Sequence, residues 1–150
     1  AEGMSDELRD EIEDTKGHSD QVTRGVRVRA AACYMEEESD PAMRKFLYGY
    51  RIRFNNESEE TVQLISRHWV IVDAQGRQEE VRGEGVVGEQ PVLAPGESYE
   101  YPSGCPLRTE WGTMEGSYLF RTEAGEEFEV AVGRFFLAPN VAPIPGGLSV

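Results

Sequence analysis

The chain has 150 residues and a formal charge of −13, with 28 acids against 15 bases. That length suits one domain with a real hydrophobic core. An acidic excess of this size repels phosphate backbones and anionic lipid surfaces, so nucleic acid is a poor partner and membrane association is disfavoured. No apolar run is long enough to cross a bilayer.

Acidity concentrates at the front. Residues 1–21 hold eight acids against two bases, and the rest holds twenty against thirteen. Leu8 and Ile12 are too few apolar side chains to bury a helix, so residues 1–21 read as a disordered acidic leader. The domain is expected over 22–138 and a Pro/Gly-rich extended tail over 139–150.

Past Val22 the hydrophobic period becomes two. Val26, Val28 and Ala30 alternate with Arg27, Arg29 and Ala31, as in a half-buried strand. A polar loop over 36–41 interrupts the pattern. Tyr48, Tyr50, Ile52 and Phe54 then share one face, with Gly49, Arg51 and Arg53 on the other. After a turn at 55–58, residues 61–73 read as a strand with apolar residues on both parities. Either both faces are covered, or a bulge near Ser66-Arg67-His68 shifts the phase.

Asp73-Ala74-Gln75-Gly76 predicts a hairpin turn, followed by a short polar strand over 77–82. Pro95-Gly96 suits the centre of a type II turn. Strands follow at 98–101, 116–122 and 127–137, the last two paired around Ala124-Gly125. Gly133 interrupts the final alternation and predicts a bend or bulge. About seven short strands with turn chemistry between them indicate an all-β immunoglobulin or fibronectin type III-like sandwich. Trp69 is the candidate core tryptophan.

Candidate chemistry is sparse. Gly83-Glu84-Gly85-Val86-Val87-Gly88 matches the G-x-G-x-x-G dinucleotide motif. That motif needs a helix after its glycines to stabilise a pyrophosphate. Here Pro91 and Pro95 follow, and Glu79, Glu80, Glu84 and Glu89 outnumber Arg77 and Arg82. The loop therefore reads as a glycine-rich strand connection, with weak phosphate binding at Gly83, Gly85 and Gly88 as the alternative.

Ser66 and His68 fall on one side of a strand, but nothing supplies an orienting acid or oxyanion hole, so no catalytic residue is assigned. His and Cys are too scattered for a metal site, and no cofactor is expected. Cys33 and Cys105 read as reduced thiols of a cytoplasmic protein, with a bridge between them left open. Arg67 and His68, beside Trp69, are the candidate interaction surface. Exposed sheet edges leave a homodimer open.

Three runs in order carry a family resemblance: Ser66-Arg67-His68-Trp69 within 64–77, Gly83-Glu84-Gly85-Val86-Val87-Gly88-Glu89-Gln90-Pro91 within 80–97, and Gly112-Thr113-Met114-Glu115-Gly116-Ser117-Tyr118. Together they resemble the ApaG family over about residues 22–137. One departure is Gly133, where members commonly carry a proline. The resemblance implies a fibronectin-like sandwich without established enzymatic activity. Bacterial members are associated with cobalt and magnesium tolerance or efflux, and relatives in eukaryotic F-box and DNA-polymerase-interacting proteins recognise other proteins. It therefore implies a non-enzymatic, cytoplasmic protein acting in divalent-cation homeostasis through a protein partner.

Overall fold

The structure, a computed structural model, describes residues 17–139. Most of the predicted acidic leader and nearly all of the predicted tail lie outside the described residues. Nine strands form two antiparallel sheets: β1 (His18–Thr23), β2 (Val26–Tyr34), β3 (Phe46–Asn56), β4 (Val62–Asp73), β5 (Gln78–Glu84), β6 (Val92–Leu93), β7 (Ser98–Leu107), β8 (Gly112–Thr122) and β9 (Glu127–Leu137). One sheet has the order β1-β2-β3-β7. The other runs β5-β4-β8-β9, with β6 also pairing β4. The polar loop at 36–41 carries two single 3-10 turns, Glu36–Glu38 and Pro41–Met43.

The sandwich is all-β, as expected, with two strands more than the sequence pattern announced. β1 begins at His18, inside the stretch assigned to the leader. It has no apolar alternation, and it is held instead by its ladder to β2 and by Asp20, which accepts from Arg27 at 2.6 and 2.8 Å. β6 is too short to carry a period. It is tied to the end of β3 by Asn56, a buried side chain whose Nδ2 donates to Leu93 O at 2.9 Å and Glu60 O at 2.7 Å. Its Oδ1 accepts from Ser58 N and Oγ, so no polar atom of this side chain is left unpaired.

The double parity of β4 comes from a bulge. The ladder to β8 shifts between Leu64 and Ser66, leaving Ile65 without a partner. Val62 and Leu64 before the shift, and Trp69 and Ile71 after it, therefore point into the same core. A second shift sets Gly133 and Arg134 against the single residue Glu115, so that Val132 and Phe135 both stay buried.

The core is aromatic. Tyr48, Tyr118, Phe54, Phe120 and Phe135 are fully buried, and each such side chain contributes about 1.5–3 kcal/mol through removal from water. Phe54 meets the Tyr118 ring edge-on at 4.8 Å, and Trp69 packs edge-on against Tyr50, Tyr118 and Phe135. On one side the sandwich is closed by β1 against β9, where Ala131 N donates to Thr23 Oγ1. On the other, β5 and β7 are the free edges of their sheets. The candidate residues gather there.

Candidate functional site

Arg67 and Gly83 are partners in the β4–β5 ladder. Because residue 83 has no side chain, the Arg67 guanidinium lies across it, 2.7 Å from where a Cβ would stand. Arg67 Nη1 then donates to Glu84 O at 3.1 Å and to Gly85 O at 2.8 Å. The arginine clamps the start of the glycine loop by its carbonyls.

Each glycine of the motif has a local reason. Gly85 has φ +59°, and a Cβ there would come within 2.2 Å of Glu89 O. Its amide donates to Ile65 O, the carbonyl exposed by the β4 bulge. Val86 and Glu89 then exchange both backbone hydrogen bonds at 2.8 Å. The two residues between them, Val87 and Gly88, have φ +42° and +81°. Positive φ at both central positions is the mark of a type I′ hairpin turn, for which glycine at the second position is favoured. No helix follows; the chain continues into β6 and a turn in which Glu97 N donates to Ala94 O, with Gly96 at φ +86°.

The two valines of the loop part company. Val86 is buried in the core cluster, whereas Val87 stands at the tip, 63% exposed. The amides of Gly85, Val86 and Glu89 are already bonded within the protein. An anion nest needs free N–H groups converging on one point.

Arg67 and His68 point to opposite faces, as neighbours in a strand must. Arg67 faces inward with Trp69. His68 faces outward, where its Nε2 lies 2.8 Å from Glu80 Oε1, and Arg82 Nη2 lies 3.6 Å from the same oxygen. Ser66 shares that outer face, in an open depression of about 350 Å³ also bounded by Arg82 and Glu129. Among the described residues no hydrogen bond joins Ser66 to His68, and no group of three or more His, Cys, Asp or Glu is arranged to hold a metal ion.

Sequence reasoning did not anticipate the cleft inside this rim. It measures about 230 Å³ and is lined by Tyr50, Arg67, Trp69, Ser103, Cys105 and Glu79. Behind it the hydroxyls of Tyr101 and Tyr118 meet at 2.6 Å. Burial raises the pKa values of Tyr50, Tyr101 and Tyr118, and pushes the Cys105 thiol up to about 12. These groups are neutral at physiological pH and act as packing and hydrogen-bonding elements. Trp69 Nε1 is buried and reaches no acceptor at hydrogen-bond geometry, although it lies near enough to the Tyr101 hydroxyl to favour its ionised form. Cys33 is exposed and Cys105 buried, and both are free thiols.

Comparison with known proteins places this rim in a family. The ApaG domain profile matches residues 36–122. Protein ApaG of Rhodospirillum centenum is 54% identical over 117 residues, covering 78% of this chain and 90% of the relative. Protein ApaG of Mesorhizobium japonicum is 51% identical over 116 residues, covering 77% and 89%. The crystal structure of an ApaA protein from Bordetella pertussis superposes with a TM-score of 0.74 at 44% identity, covering 83% of this chain and 96% of that one. The chain belongs to the ApaG family.

Proposed function

We propose that this ApaG-family chain is a non-enzymatic binding module that contributes to cobalt and magnesium homeostasis by contacting another protein through the glycine-loop rim. The observation that carries the contact is Val87. A β-branched residue in the left-handed region is costly, by about 1–2 kcal/mol, yet here it holds an apolar side chain out into solvent. Strain of this kind is retained where the surrounding structure imposes it, and it gathers at binding sites. An exposed apolar tip on a clamped turn favours a protein surface.

The cation role rests on family membership. Among the described residues no helix is long and apolar enough to cross a membrane, and none of their acidic or thiol groups forms a metal-holding cluster. An influence on divalent cations would therefore be exerted through a partner, and a cytoplasmic location belongs to the same reading. The alternative, phosphate or pyrophosphate held at Gly83, Gly85 and Gly88, has less support. The Gly85 and Val86 amides are bonded, and Glu84 and Glu89 stand beside them.

The test is complementation of a bacterial strain lacking its own ApaG protein, scored by growth in cobalt. Wild type should restore tolerance, and a folded Val87→Asp variant should not. Full rescue by Val87→Asp would remove the loop tip from the account. A deletion strain with unchanged cobalt sensitivity would remove the cation role.

A further inference from the structure

The outer face of the β1-β2-β3-β7 sheet carries an anomaly for so acidic a protein. The alternation that buries Val28, Ala30, Ile52 and Phe54 turns Arg27, Arg29, Arg51 and Arg53 outward. Arg27 is matched by Asp20 at 2.6 Å and Glu57 at 3.5 Å. Arg29 also faces Asp20 across the β1–β2 ladder and Arg53 faces Glu100 across the β3–β7 ladder, but neither closes an ion pair within 4 Å. Arg29 and Arg53 are direct cross-strand partners, which puts their Cβ atoms about 5 Å apart and makes two like charges opposed and destabilising. Arg51 stands two residues along β3 from Arg53, about 7 Å away on the same face.

Their compensation is thin. Arg29 Nη2 donates to the neutral Asn55 Oδ1 at 3.3 Å, and Arg51 Nη1 reaches Glu100 at 3.5 Å. The Nε atoms of Arg29 and Arg51 are buried without a hydrogen-bond partner, and among the described residues Arg53 has neither an ion pair nor a side-chain hydrogen bond. Three guanidinium groups on adjacent strands are thus flanked by two carboxylates, Asp20, which is already engaged by Arg27, and Glu100, which lies 3.5 Å from Arg51. A carboxylate is the planar acceptor that a guanidinium fork binds best, often with two parallel hydrogen bonds.

We infer that Arg29, Arg51 and Arg53 form a docking patch for an extended acidic peptide segment of a partner protein. An extended chain places side chains i and i+2 on one side, about 7 Å apart, the spacing of Arg51 and Arg53. Asp20, Glu57 and Glu100 border the patch, in a chain whose overall formal charge is −13. A long polyphosphate would meet repulsion beyond the three arginines, whereas two or three peptide carboxylates fit inside. This surface lies on the other sheet from the glycine loop and stands independently of the loop-tip reading.

The experiment is fluorescence anisotropy of a labelled peptide of alternating Glu and Ser, about eight residues long, titrated with the full chain. Saturable binding with a Kd under about 1 mM at low salt is expected, weakening several-fold by about 0.2 M salt as the charges are screened. Arg53→Gln, and separately Arg29→Gln, should weaken binding about tenfold, the effect of losing one charge-assisted pair. Arg77→Gln makes the same charge change at the exposed β4–β5 turn and should leave binding unchanged. Free Arg53→Gln should melt close to wild type, because relief of the repulsion from Arg29 offsets the lost attraction to Glu100; a structural role would lower the melting temperature. The proposal is overturned by absent binding, by equal losses in Arg53→Gln and Arg77→Gln, or by tripolyphosphate or an oligothymidylate displacing the peptide at lower concentration than unlabelled peptide does.

Discussion

Arg67 and Gly83 fit one another as a side chain and the space left for it. The guanidinium lies 2.7 Å from where a Cβ at residue 83 would stand, too close for one to fit without displacing it, and from there it holds Glu84 O and Gly85 O. The first glycine of an apparent nucleotide motif is therefore a seat for an arginine.

Gly83→Ala should displace that guanidinium and cost about 1–2 kcal/mol, the scale of hydrogen bonds from a charged donor. In an Arg67→Ala background the same substitution should cost close to nothing. Urea denaturation of the four proteins in the cycle measures the coupling. Additive losses would show that the seat is not what residue 83 provides.

The other two glycines should respond differently from each other. Gly85→Ala drives a Cβ to within 2.2 Å of Glu89 O at φ +59°, and an incompatible backbone of this kind should cost more than about 2 kcal/mol. Gly88 has open space around it and φ +81°. Asparagine tolerates that region, so Gly88→Asn should cost under about 1 kcal/mol. Thermal or chemical denaturation separates them, and equal losses would contradict the turn assignment.

Alkali should unfold the protein through its buried acids. Burial raises the Tyr101 and Tyr118 phenols above their ordinary value and holds the Cys105 thiol up at about 12. A group whose pKa is raised by folding stabilises fully below its unfolded pKa, and that contribution is lost as pH rises through the folded value. Unfolded cysteine and tyrosine titrate near about 8.5 and 10, so stability should decline progressively above about pH 9. Cys105→Ser should flatten the first part of the decline in urea midpoints. At about pH 8 a maleimide should label one thiol per native chain, at exposed Cys33, and two after unfolding.

Strands with a clean period were legible in the sequence. Tyr48, Tyr50, Ile52 and Phe54 announce β3, and the irregular spacings around Ser66 and Gly133 allow a register shift at each, beside two covered faces at the first and a bend at the second. The structure places the first at Ile65, one residue before the predicted region. β1 and β6 were not legible, because tertiary ties at Asp20 and Asn56 hold them without hydrophobic alternation. At the site, the glycine turn was readable from its residues and from the prolines after it. The inward turn of Arg67 was not, since it depends on the bulge that resets the parity of β4. Nor was the Arg29–Arg53 juxtaposition, which only the β2–β3 register creates.

The central claim is that Gly83, Gly85 and Gly88 serve an arginine-clamped turn. Its most direct test is a pyrophosphate titration followed by the backbone amide resonances of residues 83–89. Up to about 10 mM, well above the range of a specific site, the account predicts no saturable shift at these amides. Saturable shifts centred on Val87 and Gly88, abolished by Gly88→Asn, would contradict it.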